Sequence, residues 1–375
     1  VAITLVVLCA GNSTRFEFKA KKQWLRTGDE PLWLNVTNRF SKYCEFEKVI
    51  VVGHENELGY MKNFSDDYIY VSGGSTRQES MKNALREVTS EHVMVTDVAR
   101  CCVPEEVFIE LAENRSKASC IVPALSVSDT VVYEQQTINR DEVKLIQTPQ
   151  LSNTQALKKA LATSKEFTDD SSAIKQDGGS IYYINGSLQS KKLTFGEEIK
   201  ELMCLKEPSK DLFTGTGIDI HQFQEGKQMV LGGIPIDSDF GFKAHSDGDV
   251  LIHSIIDAIL GACGAGDIGE FFPDTDPKYK GADSKELLKH IISFVKNIGF
   301  ELVNIDVTVL AQAPKINPHK QAIKTKLSEL LEIPRFKINI KATTGEKMGF
   351  VGRSEGVAVQ SLATLKYYNW TEGEK

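Results

Sequence analysis

The sequence predicts an α/β unit with a mostly parallel sheet, followed by an α+β unit whose helices gather on one face of a sheet. Three observations support this: β-rich runs alternate with helical patterns through residue 206, a polar break follows at 207–211, and a different element order begins at Phe213. At about 150 residues per domain, 375 residues also exceed what one core ordinarily fills. Hydrophobic residues at 41% and charged residues at 25% exclude disorder, collagen and coiled coil.

The longest apolar run, Val1 to Ala10, falls short of the ~18 residues of a spanning helix. No basic residue precedes it, Leu8 suits a lipidated Cys9 poorly, and it runs into a glycine loop, so it reads as a buried first strand. Ile3–Cys9, Lys48–Gly53, Tyr68–Val71, His92–Thr96 and Ala118–Pro123 read as strands, with helices at Gln78–Val88 and Glu105–Ala112. Such alternation gives a parallel sheet covered on both faces, with ligands at the strands' carboxyl ends. A helical stretch, Phe195–Leu205, closes the first domain at residue 206, and Pro208 marks the linker 207–211.

The second domain, 212–375, opens with strand Phe213–Phe223 and a Gly-Gly turn at Gly232. Helices Val250–Gly261 and Ser284–Gly299, strand Leu302–Gln312, helix His319–Leu331 and strands Lys337–Thr343 and Val357–Leu365 follow.

With 51 acidic against 44 basic residues, the net charge is −7, which argues against nucleic acid or an anionic membrane as partner. Phosphate binding must therefore be local. Seven scattered cysteines without C-x-x-C spacing argue against a disulfide framework or a zinc knuckle, and a reducing cytoplasm is the expected location.

In the first half, strand one ends in Leu8-Cys9-Ala10-Gly11-Asn12-Ser13-Thr14-Arg15, with Lys22-Gln23 beyond. Small residues let backbone N–H groups approach phosphate oxygens, and Arg15 and Lys22 supply counter-charge; a tight turn with solvated basic residues is the bland alternative. Gly73-Gly74-Ser75-Thr76-Arg77-Gln78-Glu79-Ser80 enters a helix, and Asp97-Val98-Ala99-Arg100 leaves a buried strand, so three polar loops should converge on one cleft. With Ser128-Asp129-Thr130, Asn139-Arg140, Gln147-Thr148-Pro149-Gln150 and Lys192, residues 1–206 resemble the 2-C-methyl-D-erythritol 4-phosphate cytidylyltransferases. Departures are Ser13 for a second glycine, Phe16 for methionine and Ser75 for an acidic residue near cytosine.

This resemblance implies a Rossmann-like nucleotidyltransferase domain in which methylerythritol 4-phosphate attacks the α-phosphorus of CTP, with Mg²⁺, and expels pyrophosphate. Arg15, Lys22 and Lys192 would be the catalytic cations; Ala10, Gly11, Gly74 and Ser80 would line the nucleotide pocket. Asp97 and Arg100 would sit near the acceptor, and Thr130 and Arg140 on an arm that reaches the partner of a dimer.

In the second half, Asp219-Ile220-His221 lies in a β pattern, so both polar side chains point to one face. His253 follows in a helix opened by His245-Ser246-Asp247-Gly248-Asp249, with Asp257 one turn on as a carboxylate that could orient a ligand. One Asp and two His with an open fourth position describe a catalytic zinc site, though a bare histidine pair is more often structural. Alongside these, Gly266-Asp267-Ile268-Gly269, Phe272-Pro273-Asp274-Thr275-Asp276-Pro277, Ala311-Gln312-Ala313-Pro314-Lys315 and Lys341-Ala342-Thr343-Thr344-Gly345-Glu346-Lys347 resemble the 2-C-methyl-D-erythritol 2,4-cyclodiphosphate synthases over 212–370. Gly345 replaces a frequent third threonine.

The resemblance implies that the substrate's 2-phosphate attacks the β-phosphorus of its own CDP group and releases CMP. Zn²⁺ or another divalent transition metal would sit at Asp219, His221 and His253, and Mg²⁺ or Mn²⁺ at Glu346. His245, Ser246 and Asp267 would hold the methylerythritol end, and Asp274 would be a further substrate-binding residue; Ala311, Lys315, Ala342 and Thr343 would hold cytidine and its phosphates, with Thr344 catalytic. Arg353 is a substrate-binding candidate or half of an ion pair with Glu355.

The whole reads as a bifunctional, cytoplasmic enzyme of non-mevalonate isoprenoid synthesis. Trimeric cyclase and dimeric transferase halves would close most simply as a hexamer, and a kinase acting between the two reactions is a candidate partner. The rivals are a nucleotide-sensing scaffold with an inactive first half, and a sugar or alditol phosphate nucleotidyltransferase fused to a zinc phosphohydrolase.

Overall fold

In the computed structural model, which describes residues 2–244, 246–273, 275–279 and 281–372, the chain forms two compact units, Val1–Pro208 with Trp370–Lys375, and Ser209–Asn369. Trp370 thus belongs with the first unit rather than the second, where its indole N–H donates to the Arg26 carbonyl at 2.6 Å.

The first unit is built on an eight-stranded sheet in the order Lys144–Ile146, Cys120–Ser126, Gln150–Asn153, His92–Asp97, Ile3–Leu8, Lys48–Gly53 and Ile69–Ser72, with Ile181–Asn185 also paired to Cys120–Ser126. Ile3–Leu8 pairs in parallel with both neighbours, whereas Gln150–Asn153 runs antiparallel to the two strands it joins. Val6, Ile50, Val52, Val95 and Val122 pack against Met81, Leu85 and Leu157 to form the core. β-Branched residues suit this doubly covered sheet, and the central strand's fully buried pattern, with no alternation, follows from that.

Two features differ from the sequence reading. Phe195–Leu205 forms only a 3₁₀ turn, Gly196–Glu201, whose entry is fixed by the Glu198 carboxylate accepting from the amides of Thr194 (2.7 Å) and Phe195 (2.9 Å). Cys102 and Cys204 are joined in a disulfide, with Cα atoms 5.5 Å apart and a sequence separation of 102. So distant a pairing leaves no local spacing signature.

The second unit has a five-stranded sheet ordered Phe240–Phe242, Leu212–Glu225, Gly356–Tyr367, Phe300–Leu310 and Ile338–Thr343. Only the last pair is parallel, so Phe300–Leu310 and Ile338–Thr343 end at the same edge. Helices Val250–Cys263, Ser284–Asn297 and Lys320–Leu331 pack against the sheet, while Ile218 and Ile220 remain 62% and 53% exposed. Asp249 caps the first helix at the Ile252 amide and also accepts from the amides of Gly232 and Gly233, locking the Gly-Gly turn to the helix start.

That helix lies unusually close to its strand. A Cβ on Gly215 would stand 2.3 Å from the Ala258 carbonyl oxygen, and one on Gly217 2.1 Å from that of Ser254. Both obstacles are backbone and cannot rotate aside. Gly217→Ala is expected to destabilise the second unit by about 1–3 kcal/mol, an overpacking cost, visible as a lowered melting transition in the full chain.

Candidate functional site

Loops from the carboxyl ends of four adjacent parallel strands enclose a cleft of about 710 Å³ in the first unit. Leu8, Ala10 to Arg15, His54-Glu55, Gly73 to Arg77 and Asp97 to Ala99 line it, joined by Lys22 and Lys192. The strand ends are stitched by Cys9 N to Val52 O (2.8 Å), Gly73 N to Gly53 O (2.8 Å) and Val98 N to Leu8 O (3.1 Å). In the first loop, Ser13 adopts φ 55°, the left-handed conformation a glycine takes freely. Its hydroxyl accepts from the Lys22 amide (3.1 Å) and donates to Gln23 (3.2 Å), whose amide in turn donates to the Gly11 carbonyl (2.9 Å). Serine here replaces backbone freedom with side-chain hydrogen bonds.

The charges of the cleft converge on Asp97. Lys192 Nζ lies 2.6 Å from its Oδ2 and Arg77 Nε 3.3 Å from Oδ1, while Arg77 also grips buried Asp170 at 2.9 Å. Burial alone would raise the Asp97 carboxyl pKa; Arg77 and Lys192 overcome it and hold the group well below the usual carboxylate range. Lys22 donates to the Leu193 carbonyl at 2.8 Å. Its burial, together with the neighbouring Lys192 and Arg15 cations, lowers its pKa to about 8.

Of the residues singled out by sequence, Ala10, Gly11, Arg15, Lys22, Gly74, Ser80, Asp97 and Lys192 all line this cleft. Arg100 instead donates to the carbonyls of Ser190 (2.6 Å) and Ile146 (3.3 Å). Thr130 and Arg140 flank an exposed hairpin, Val131–Tyr133 with Gln136–Ile138, and Arg140 donates to the Ser128 carbonyl.

Sequence reasoning missed Arg77, His54 and Glu79. The Glu79 carboxylate accepts from both the amide (2.7 Å) and hydroxyl (2.6 Å) of Ser75, bringing an acidic group to the place where Ser75 lacks one. An acid at N3 behind the Thr76 cap was the available signal. Lys21 is 13% exposed and paired with buried Glu57, which also accepts from Trp24 Nε1 at 2.6 Å.

In the second unit, Asp219 and His221 project from strand Leu212–Glu225 toward His253 on the overlying helix, and one donor atom from each lies within 4.8 Å of the others. The histidines are oriented from behind: His221 Nδ1 is 3.1 Å from the Gly248 carbonyl, and His253 Nε2 is 2.8 Å from Ser284 Oγ. Those contacts leave His221 Nε2 and His253 Nδ1 turned to Asp219 Oδ2, at 3.5 and 3.2 Å. Ser284 is itself held by Asp247 through its amide at 3.1 Å and its hydroxyl. Burial would lower the pKa of His253, but the Asp219 carboxylate raises it overall. An anionic oxygen and two oriented imidazoles fit a divalent metal.

Asp257 does not orient a histidine: its carboxylate accepts from the Ile268 amide at 2.8 Å. Ser246 Oγ lies 3.4 Å from His253 Nε2, and Asp267 caps the short helix Ile268–Phe271. Ala311, Ala342 and Thr343 meet where the parallel strands end, tied by Ala311 N to Thr343 O at 3.0 Å, with exposed Lys315 and Thr344 just beyond. Thr344 donates to Glu346 at 2.5 Å, and Glu346 is not part of the three-residue donor group. Arg353 forms a bidentate pair with Glu355, at 2.8 and 3.1 Å. His245 and Asp274 lie outside the described residues.

Fold and sites together define a two-part enzyme, a nucleotide-handling α/β unit joined to a divalent-metal unit. The 2-C-methyl-D-erythritol 4-phosphate cytidylyltransferase family profile matches residues 3–202 and that of the YgbB family matches 212–366. The chain is 64% identical to the bifunctional enzyme IspD/IspF of Aliarcobacter butzleri over 98% of both chains, and 52% identical to that of a Sulfurovum species over 99% of both. The solved structure of the bifunctional IspDF from Campylobacter jejuni superposes with a TM-score of 0.88 at 51% identity, covering 99% of this chain and 100% of the other. The chain belongs to the bifunctional IspD/IspF family of isoprenoid biosynthesis, with a cytidylyltransferase domain and a cyclodiphosphate synthase domain. Among the described residues, no helix is long and apolar enough to cross a membrane.

Because Ser284 orients His253, Ser284→Ala should weaken divalent-metal affinity by roughly 10–100-fold, the usual effect of losing such a partner. Asp257→Asn should leave affinity within about twofold of wild type, by the same reasoning. Metal titration of the full chain checks both.

Proposed function

We propose that the first unit transfers CMP from CTP to 2-C-methyl-D-erythritol 4-phosphate, releasing pyrophosphate. The second unit cyclises 4-diphosphocytidyl-2-C-methyl-D-erythritol 2-phosphate to the 2,4-cyclodiphosphate, releasing CMP. The observation that supports the first reaction is the gathering of Arg15, Lys22 and Lys192 around one small-residue loop. Amides of Ala10 and Gly11 face the triphosphate, Gly74 and Ser80 the cytidine, and Glu79 supplies the carboxylate near the base that Ser75 lacks. The acceptor phosphate attacks in line at the α-phosphorus, where fixed cations stabilise the oxygens on which charge grows. Asp97 keeps Lys192 and Arg77 oriented beside that point, and Arg100 braces the acceptor side by holding the segment at Ser190.

For the second reaction the Asp219/His221/His253 group carries the reading, as a zinc-type site. A divalent ion held there, and a second one at Glu346, would polarise the diphosphate. Ser246 and Asp267, with His245, bind the methylerythritol end, and Asp274 is a further substrate-binding residue. Ala311, Lys315, Ala342 and Thr343 hold the cytidine phosphates, Thr344 fixes Glu346, and Arg353 reaches substrate by leaving Glu355. The attacking phosphate is already ionised, so no general base is needed.

The exposed Ile218 and Ile220 on the sheet face of the second unit support a trimer of cyclase units. Val132 and Tyr133, 60% and 64% exposed on the hairpin arm, support a dimer of transferase units. A hexamer satisfies both, in a cytoplasmic enzyme that recruits the intervening kinase and uses neither nucleic acid nor membrane. Sedimentation giving a plain trimer would remove the hexamer.

Phosphorus NMR of the full chain with CTP, methylerythritol 4-phosphate and Mg²⁺ should show pyrophosphate and a CDP-alcohol; unchanged CTP would sink the first assignment. Arg15→Ala should lower kcat by about 10²–10³-fold, the scale of one lost oxyanion contact. His253→Ala should abolish cyclisation and spare cytidylyl transfer.

The pH dependence follows from Lys22. Its ammonium is present below its pKa of about 8 and lost as pH rises through it. CTP affinity should therefore fall above that pH by up to about tenfold per pH unit. Lys22→Arg, charged throughout, should flatten the profile measured by CTP titration.

A further inference from the structure

Among the described residues a second cluster of metal-ligating side chains lies outside both sites: Cys101, Cys102 and Cys204, with sulfur atoms all within 4.8 Å of one another. None of the three lines the nucleotide cleft. We propose that these cysteines form a thiolate site for a soft divalent cation of the zinc type in the reduced protein, and that the Cys102–Cys204 disulfide is the oxidised form that closes it.

Distances support a shared ion. With zinc–sulfur bonds of about 2.3 Å, tetrahedral ligation puts two thiolates roughly 3.8 Å apart. Cys101 and Cys102 already place their sulfurs at 4.0 Å. With Cα atoms 5.5 Å apart, Cys102 and Cys204 can reach that spacing from the bonded state by side-chain rotation.

The cluster does not depend on the disulfide to stay assembled. Leu193 N donates to the Ala99 carbonyl at 2.8 Å and Arg100 donates to the Ser190 carbonyl at 2.6 Å, tying the chain beside Cys101 to the stretch that leads to Cys204. Just beyond Cys204, Lys206 N donates to Thr27 Oγ1 at 2.9 Å and Gly28 N to the Glu207 carbonyl at 3.0 Å. Arg39 donates to the Cys101 carbonyl from a third direction. Reduction thus leaves the thiols facing one another, a preformed site rather than loose ends.

Access and electrostatics are also in place. A pocket of about 370 Å³ opens on Cys102 and Cys204 and is lined by Arg39, Tyr43, Lys191 and Glu201, so an ion can enter from that side. Arg39 favours thiolate over thiol, while Lys191 is paired with Glu201 at 2.6 Å. Cys101 is fully buried, so its proton leaves only in exchange for a metal.

The redox step balances. Two molecules of a low-molecular-weight thiol give two electrons and two protons to the Cys102–Cys204 bond, yielding two cysteine thiols and one small-molecule disulfide. Metal entry then releases the thiol protons to solvent. Disulfide and metal exclude each other, because one sulfur pair cannot be bonded and stand about 3.8 Å apart at once.

The test is an anaerobic titration of the phosphine-reduced full chain with Co²⁺. A thiolate-to-cobalt charge-transfer band is expected, a signature that the Asp219/His221/His253 site cannot produce. Oxidised protein should lack the band and gain it on reduction, and Cys101→Ser and Cys204→Ser should each reduce it several-fold. Cys204 is only half-buried, so its variant stands if Cys101→Ser does not fold. No charge-transfer band in reduced wild type, or a band that survives the Cys204→Ser substitution undiminished, would overturn the proposal. Zinc should also shield Cys102 and Cys204 from alkylation read by mass spectrometry, and equal labelling with and without zinc would count equally against it.

Discussion

The second unit depends on how near one helix can come to one strand. Side chains at 215, 217, 219 and 221 share the strand face that meets helix Val250–Cys263, and the first two are glycines under Ala258 and Ser254 backbone. Where the glycines end, Asp219 and His221 begin. The absence of two Cβ atoms thus draws the helix down so that His253 reaches donors that a normally spaced helix would overhang. Backbone at the contact also makes the spacing rigid, as a metal donor set requires.

Position is then refined by groups that lie outside the strand and the helix stripe and reach in to their side chains. Asp247 holds Ser284 and Ser284 orients His253, while the Gly248 carbonyl fixes the ring of His221. Asp249 binds the turn at Gly232 and Gly233 to the same helix start. One short acidic stretch therefore sets the helix, its cap and both imidazoles, so changes there would propagate to the metal site without removing any ligand.

The sequence makes strongly periodic or short-range features legible. Asp219 and His221 alternate on a strand, and the glycine loops follow buried apolar runs, so their convergence can be read from spacing. Contacts that tertiary folding alone creates are different: Ser284 is 31 residues from His253, Asp170 is 93 from Arg77, and Cys204 is 102 from Cys102. The Lys21–Glu57 pair is of the same kind, since Glu57 arrives from helix Glu55–Lys62. Phe195–Leu205 reads as a helix because periodicity does not register a carboxylate capping two amides in succession. Arg100 has the right chemistry for an acceptor site, yet its guanidinium is engaged by carbonyls that pattern cannot locate.

In the first unit the corresponding constraint is electrostatic. Three cations around a half-enclosed cleft repel one another, and the depressed Lys22 pKa records that repulsion together with burial. Asp97 offsets it by taking Lys192 and Arg77. Removing a buried carboxylate of this kind leaves its partner charges uncompensated, which is far costlier than losing an exposed pair. A triphosphate entering the cleft supplies negative charge of its own, so it can take over the pairing that Asp97 maintains beforehand. The same carboxylate thereby keeps the site folded without ligand and holds the cations where the ligand's charge arrives, and stability and catalysis share one residue.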